Sequence, residues 1–290
     1  MSRFDRNIYL SNIELEEAKK LFFDEVRDCI DKIGTEVVKV EEALDRITAK
    51  PVFAKISSPH FNASAMDGIA VKAQETYGAD DRNPKRLKLN REYIYIDTGD
   101  VIKEPYDSVI MIEDVVKIDD ETVEIIKPAF PWQHIRPVGE DIVVSEMIIP
   151  AYHQIRPIDI GALISGGILE LPVIRKPRVG IIPTGTEIIE PDDELKEGKI
   201  IDSNSRMFEG LVIKYGGIPN RYKPVVDDYD LIKDKILKAI DENDIVIINA
   251  GSSAGSEDYT SKIIEDVGKL LAHGIAIKPG KPAILGKIKD

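Results

Sequence analysis

Ile245-Val-Ile-Ile-Asn-Ala-Gly-Ser-Ser-Ala-Gly-Ser-Glu-Asp-Tyr-Thr260 is the stretch on which the reading of this chain turns. An apolar run of strand length enters a Gly/Ser loop, and the loop delivers Glu257, Asp258 and a helical pattern that continues through Val267. Such a junction aims backbone N–H groups and the positive end of a helix dipole at one point. Gly251 and Gly255 admit close approach of a ligand, or a positive φ, that a side chain forbids. Ile277-Lys-Pro-Gly-Lys-Pro282 then brings Lys278 and Lys281 on a stiff turn. Together these features predict a pocket for a phosphorylated ligand. The loop is neither a Walker A sequence nor a GxGxxG fingerprint, so by itself it equally fits a junction that only lets a helix pack. Two lysines on a rigid turn are poorly explained by packing, and they favour the ligand.

Reading outward, strand and helix patterns alternate. Val179-Gly-Ile-Ile182 is a buried strand, Ser205 to Tyr215 a helix ended by Gly216-Gly217, Tyr222 to Val226 a strand, and Tyr229 to Ile240 a helix. Extended runs near Ile275 and Ile284 complete the series. This alternation predicts a mainly parallel sheet with helices on both faces. Ligands of such sheets sit at the carboxyl ends of the strands, so Pro183-Thr-Gly-Thr-Glu187 and Gly251 to Asp258 are expected to face one crevice. Upstream, Ile69-Ala-Val71, Tyr93 to Ile96, Ser108 to Ile112 and Thr122 to Ile126 are short, β-branched and separated by turn residues. Asn12 or Ser11 is a candidate cap for a helix carrying Leu15, Ala18, Leu21, Phe22, Val26 and Ile30. Val40 to Ile47 gives a second helical pattern, and Ile158 to Gly167 a short helix closed by glycines. The expected fold class is α/β multidomain, in three parts. Residues 1–50 with 137–176 form a discontinuous helical and extended linker or dimerisation domain, 51–136 an inserted β-rich domain, and 177–290 the α/β domain with the ligand site. The chain stops at Asp290 directly after a strand candidate, which reads as a truncated product.

Bulk properties limit the partners. The chain has 290 residues, 43% hydrophobic and 31% charged, with a formal charge of −13. That balance opposes nucleic acid and acidic membrane surfaces, so an anionic ligand must be held by local donors or metal ions. Cys29 is the single cysteine, which excludes a disulfide framework and Cys-based zinc sites, and its place in a helix suggests a buried structural thiol. Met1 to Asn7 lacks the apolar core of a signal peptide, and no apolar run has the length of a membrane span. A cytoplasmic protein is expected.

Phe61 to Gly68, Thr98-Gly99, Arg136 to Ile142, Pro183 to Glu187, Asp202 to Ser205, Gly251 to Tyr259 and Lys278 to Pro282 stand in this order along the chain. Together they resemble the motifs of the molybdopterin molybdenumtransferases, the MoeA family that includes the E domain of gephyrin. Phe61-Asn-Ala-Ser-Ala-Met-Asp-Gly68 is similar to the family's F-x-x-S-x-M-D-G, and Thr98-Gly99 to its TG pair. Arg136-Pro-Val-Gly-Glu-Asp-Ile142 is similar to R-x-x-G-E-D-I, and Pro183 to Glu187 and Asp202 to Ser205 to its TGxE and D-[ST]-N segments. The opening loop resembles G-G-x-S-x-G-x-x-D-Y, and Lys278 to Pro282 its K-P-G-K-P turn. The resemblance runs from about Phe22 to the last residue. Ala250 replaces a usual Gly, Ser252 an apolar residue and Thr186 a common Asp, and the family's Gly-Leu-Pro-Gly loop and C-terminal β domain do not follow.

The resemblance implies insertion of molybdenum from molybdate into adenylylated molybdopterin, with release of AMP. It implies an elongated homodimer in which Asp67 and Thr98 of one protomer face the α/β domain of the other. Gly251, Ser252, Ser253, Gly255, Asp258, Lys278, Lys281 and Ser205 are then expected to bind the cofactor precursor, and Asp67, Thr98, Asp141 and Glu187 to be catalytic. Carboxylates beside an oxyanion must be protonated or bridged by cations. Mg²⁺ suits that need, with Asp228 or Asp258 as its ligand at the adenylate phosphate. Ser64 is a further hydrogen-bond donor. Structural roles compete: Asp228 as a helix cap, Asp202 to Ser205 as a cap cluster, and Asp67 as a turn residue. His60, His134, His153 and His273 are scattered and are taken as surface or satisfied core residues, and Trp132 as a packing anchor. Two other functions stay open, a relative that binds molybdopterin without turnover and a dimerising scaffold.

Overall fold

Gly68–Val71 and Val179–Pro183 are buried at every residue, and each lies in the central strand of a three-stranded sheet. Continuous apolar burial marks a strand covered on both faces. The computed structural model describes residues 12–30, 32–249 and 259–289. Its backbone forms two compact units, one spanning Val37–Val173 and one joining the segment up to Glu36 with that from Ile174 onward.

In chain order the elements begin with helix α1 (Leu15–Ile30) and strands β1 (Thr35–Lys39), β2 (Val52–Phe53), β3 (Ala63–Ser64) and β4 (Gly68–Val71). Next come helix α2 (Ala73–Thr76) and strands β5 (Lys85–Lys88), β6 (Tyr93–Ile96), β7 (Ser108–Met111), β8 (Val115–Lys117) and β9 (Thr122–Ile125). Strands β10 (Ile135–Arg136) and β11 (Met147–Ile149), helix α3 (Pro157–Ser165) and β12 (Glu170–Ile174) follow. The antiparallel sheets β6-β4-β7 and β5-β9-β8 dominate the Val37–Val173 unit. Ile69 and Val71 join Leu87, Tyr93 and Val123 on one side of β4, while Ala70 meets Ile96 and Val109 on the other. Burying a Val or Ile contributes roughly 1.5–3 kcal/mol, and a one-residue slip would exchange the two faces, so this register is strongly specified. A second core in the same unit gathers Val40, Val52, Ile149, Ile155, Leu163 and Leu171. Helix α3 starts at a proline, where no intrahelical N–H is needed. The Asp159 carboxylate accepts from the Arg156 N–H at 2.8 Å and from its guanidinium at 2.9 and 3.0 Å. These bonds, with one from His153, hold the Asp159 carboxyl far below the usual range against the opposing effect of burial.

The other unit continues with β13 (Arg178–Pro183), β14 (Ile188–Ile189), β15 (Ile200–Ile201), helix α4 (Asn204–Lys214) and β16 (Ile218–Arg221). Helix α5 (Tyr229–Glu242), β17 (Ile245–Asn249), helix α6 (Thr260–Val267), β18 (Lys269–His273) and β19 (Ile284–Lys287) complete it. The sheet β16-β13-β17 is parallel throughout. Val179 and Ile181 of β13 pack on Val212 and Phe208 of α4. The next residue, Ile182, faces Ile232, Ile236 and Ala239 of α5 and Ile263 of α6, so helices cover both faces. β18 and β19 pair antiparallel. Ile13 bridges to Ile275, and α1 lies against β18 and β19.

Four local expectations are corrected. The strand expected at 222–226 is Ile218–Arg221, because the ladder to β13 runs from Arg178↔Ile218 to Ile181↔Arg221. Val225 keeps only a single bridge to Thr184. Val40 to Ile47 contains only a 3-10 turn over Val40–Glu42; Asp45 turns left-handed (φ 61°) and its N–H donates to Ile155 O. Asn12 does not cap α1, since Ile13 is in a bridge and the helix begins at Leu15, while Ser11 lies outside the described residues. Cys29 is half-buried, not buried.

Candidate functional site

Of the described candidates in the α/β unit, Glu187 and Asp228 follow the carboxyl end of β13. After Pro183 the chain is tied on both sides: Thr184 N–H donates to Asn249 O and Gly185 N–H to Val225 O, both at 2.9 Å. Gly185 has φ 143°, and a Cβ there would stand 3.1 Å from both Glu187 carboxylate oxygens. The Glu187 carboxylate thus folds back over Gly185, half-buried and without a hydrogen-bond or ion-pair partner among the described residues. Thr186 and Asp227 lock reciprocally, Thr186 N–H to Asp227 Oδ2 at 3.1 Å and Asp227 N–H to Thr186 Oγ1 at 3.3 Å. Lys199 Nζ donates to Thr186 O at 2.8 Å.

Asp228 is the N-cap of α5. Its Oδ1 accepts from Leu231 N–H at 3.0 Å, so the capping role is present, and Oδ2 has no partner among the described residues. Ser205 is fully buried and its hydroxyl donates to Asp202 Oδ2, which also takes Arg221 Nη1 at 3.3 Å; its N–H donates to Asp202 Oδ1 at 3.1 Å. Ser205 is therefore committed to the cap of α4 and presents no free hydroxyl. Around Arg221 lies a network that sequence reasoning missed. Nη2 donates to both Glu190 oxygens at 2.8 and 2.9 Å, and Arg206 reaches Glu190 and Glu209 at 3.2 and 3.0 Å. Glu190 and Arg221 are 31 residues apart, and no local signal pairs them.

In the Val37–Val173 unit, Asp67 and Thr98 do meet. Asp67 Oδ1 accepts from Thr98 N–H and from its hydroxyl, each at 2.7 Å, and these bonds, the hydroxyl first, lower the Asp67 carboxyl below its ordinary value. Thr98 occupies a turn closed by Asp100 N–H to Asp97 O at 3.0 Å, with Gly99 at φ 92° as a type II turn requires. Gly68 has no room for a side chain: a Cβ would stand 2.0 Å from Ile110 O. Ser64 is fully buried and donates to Met66 O at 2.6 Å, so it is not a free donor. Asp141 is exposed and pairs with Arg136 Nη2 at 2.8 Å, while Glu140 takes Arg136 Nε.

Lys278 and Lys281 are exposed in the connection between β18 and β19, where Ile275 N–H donates to Lys281 O at 2.9 Å. Neither ammonium has an ion-pair partner among the described residues. Gly251, Ser252, Ser253, Gly255 and Asp258 lie outside the described residues. Among those described, no trio of His, Cys, Asp or Glu can enclose a metal ion, and no helix is long and apolar enough to cross a membrane. Trp132 is 55% exposed with φ 65°, so it is no packing anchor. His153 is satisfied by Asp159, whereas the buried Nε2 of His273 has no partner among the described residues, against expectation.

A family model described as the MoeA N-terminal region (domain I and II) matches residues 13–167. The chain belongs to the MoeA family. A second model, described as a probable molybdopterin binding domain, matches residues 180–289. Thus Asp67, Thr98 and Asp141 lie in the MoeA N-terminal match, and Glu187, Ser205, Asp228 and both lysines in the other. A putative molybdopterin biosynthesis protein of Methanocaldococcus jannaschii is 35% identical over 95% of this chain and 73% of its own length. The molybdopterin molybdenumtransferase of Haemophilus influenzae is 32% identical over 88% of this chain and 66% of its own length. That of Staphylococcus aureus is 30% identical over 84% and 62%. The crystal structure of the molybdopterin biosynthesis MoeA protein of Pyrococcus horikoshii superposes with a TM-score of 0.82 at 33% identity, over 96% of this chain and 73% of that one. The chain therefore spans 62 to 73% of the length of these relatives.

Proposed function

We propose that this chain is a cytosolic molybdopterin molybdenumtransferase, inserting molybdenum from molybdate into adenylylated molybdopterin with release of AMP. One observation carries the reading. Glu187, at the carboxyl end of the central parallel strand, is a half-buried carboxylate with no protein partner among the described residues, in the segment matched by the molybdopterin-binding model. A carboxylate in that state is available to a ligand, and beside an oxyanion it must take up a proton or share a cation. In this reading Glu187 holds or passes a proton at the oxyanion. Lys278 and Lys281 supply positive charge to the phosphoanhydride, and residues 251–258 supply N–H donors.

The described donors fit Mg²⁺ as a substrate-bridged ion. No three-carboxylate cage is present among the described residues, and Asp228 Oδ2 is the free oxygen at the start of α5. Mg²⁺ commonly uses one or two carboxylates and completes its sphere with phosphate oxygens and waters. Bound there it would neutralise charge on the leaving adenylate. Asp67, Thr98 and Asp141 are proposed as catalytic in a homodimer, with 51–136 as the β-rich domain and 177–290 as the molybdopterin domain.

The test mixes purified protein, adenylylated molybdopterin, Mg²⁺ and molybdate, and follows AMP and active cofactor. AMP release that Glu187→Gln abolishes supports the reading. Tight binding without AMP release replaces it with a binding protein, and light scattering showing a monomer removes the dimer.

A further inference from the structure

We infer that Arg221 is a positioning residue for Glu187, acting through a clamp on Glu190 and Asp202; the inference rests on the function proposed above. Glu187 sits at the entry to a ribbon with little to hold it. β14 and β15 are two residues each, joined by Ile200 N–H to Glu187 O and Asp202 N–H to Ile189 O, both at 2.9 Å. Ile200 is 57% and Ile201 39% exposed, so apolar burial contributes little to the β15 strand.

The ribbon is instead fixed by charge. Arg221 is the last residue of β16 and is registered against Ile181 of the central strand, which makes its backbone part of the rigid sheet. From there Nη2 grips both oxygens of Glu190, immediately after β14, and Nη1 reaches Asp202, immediately after β15. One guanidinium therefore holds the exits of both ribbon strands. The side chains of Arg221 and Asp202 are 11% and 1% exposed, so these bonds act where water competes poorly. Glu190 is three residues beyond Glu187, whose own carboxylate has no protein partner among the described residues to orient it. Its placement thus follows from its backbone, held before it by the Thr186–Asp227 and Lys199 bonds and after it by the ribbon that Arg221 clamps. Lysine would keep the charge and lose the fork, since an ammonium is a point donor on a flexible stem.

The experiment compares wild type, Arg221→Lys and Glu190→Gln in amide hydrogen exchange and in turnover. The Ile200 and Asp202 amides should exchange at least about tenfold faster in Arg221→Lys while Ile181 and Val246 amides keep their protection. A displacement of about 1 Å costs on the order of 100-fold in rate, so kcat for AMP release should fall by about 10- to 100-fold with the Kd for adenylylated molybdopterin within about twofold. Glu190→Gln, which keeps shape and fold with a weaker acceptor, should lie between, and Glu187→Gln should lose turnover without altering exchange. Unchanged exchange at Ile200 and Asp202, an unchanged kcat, or a loss of kcat matched by loss of binding overturns the clamp. A wild-type protein that releases no AMP sinks the transferase reading instead, and the exchange data still decide whether Arg221 holds the ribbon.

Discussion

The two edges of the parallel sheet carry charge in opposite conditions. At the amino ends of β13 and β17, Arg175 grips both oxygens of Asp244 at 2.8 and 3.0 Å, and Asp244 also accepts from Arg178 N–H at 2.7 Å. Beside them Asn243 donates to Tyr222 Oη and Ala239 O, and Tyr222 donates to Glu242. At the carboxyl ends, Glu187 and one oxygen of Asp228 stand without protein partners among the described residues. Shape does not separate the edges, because a cavity of about 350 Å³ lined by Arg175, Arg178 and Asp244 lies at the amino edge. Satisfaction of the carboxylates does. A charge that already has good partners gains nothing from a ligand, whereas an unpartnered half-buried carboxylate lowers its free energy by finding one.

This contrast can be broken. The largest expected effect is at the carboxyl edge: Glu187→Gln should lower kcat for AMP release about 100-fold or more with melting temperature unchanged. A folded variant with full turnover would leave the edge without its main claim. At the amino edge the sign reverses. Asp244→Asn should cost about 1–3 kcal/mol in denaturant unfolding and leave kcat alone. Arg175 and its companion bonds hold the Asp244 carboxyl below its ordinary 3.8, against burial. Its stabilisation is therefore complete above that pH and is lost only as pH falls through the lower folded value. Acid unfolding of Asp244→Asn should lack this component, and an unchanged acid limb would refute it.

Smaller effects sharpen the boundary. Asp228→Ala should cost about 1 kcal/mol through loss of the α5 cap, while Asp228→Asn, also a good cap, should be nearly neutral in stability. If Oδ2 serves Mg²⁺, the Asn variant still raises the Mg²⁺ concentration needed for half-maximal rate, and an unshifted requirement reduces Asp228 to a cap. Smallest is Thr98→Val, which removes the hydroxyl but not the N–H bond to Asp67. The Asp67 carboxyl should move partway back up towards its ordinary value in an NMR titration.

Legibility followed the range of the interactions. Local ones were readable: the helix ended by Gly216-Gly217, the Asp228 cap and the buried run at Val179 each depend on neighbours in sequence. The strand at Ile218–Arg221 was misplaced because Val225-Val226 has the stronger β composition, while Pro219 argues against a strand interior and is tolerated on an edge of this sheet. Asp45 broke the helical pattern after Val40 through a backbone bond to Ile155, which no short window contains. In the candidate site, Glu187 and Asp67 with Thr98 were singled out by motif. Whether each acidic group was free or engaged was not, since Arg136 beside Asp141, and Asp202 with Arg221 around Ser205, become visible only once the chain is folded.

Gly68, with the Ile110 carbonyl where its Cβ would be, gives its neighbour Asp67 an unusual mutational setting. A library randomised over both positions should return two kinds of intolerance side by side. At 67, variants would be soluble and cooperative but altered in chemistry; at 68, they would be lost from the folded fraction before any chemistry is measured. An abundance screen run in parallel with an activity screen would separate these adjacent letters, which an activity screen alone would score alike.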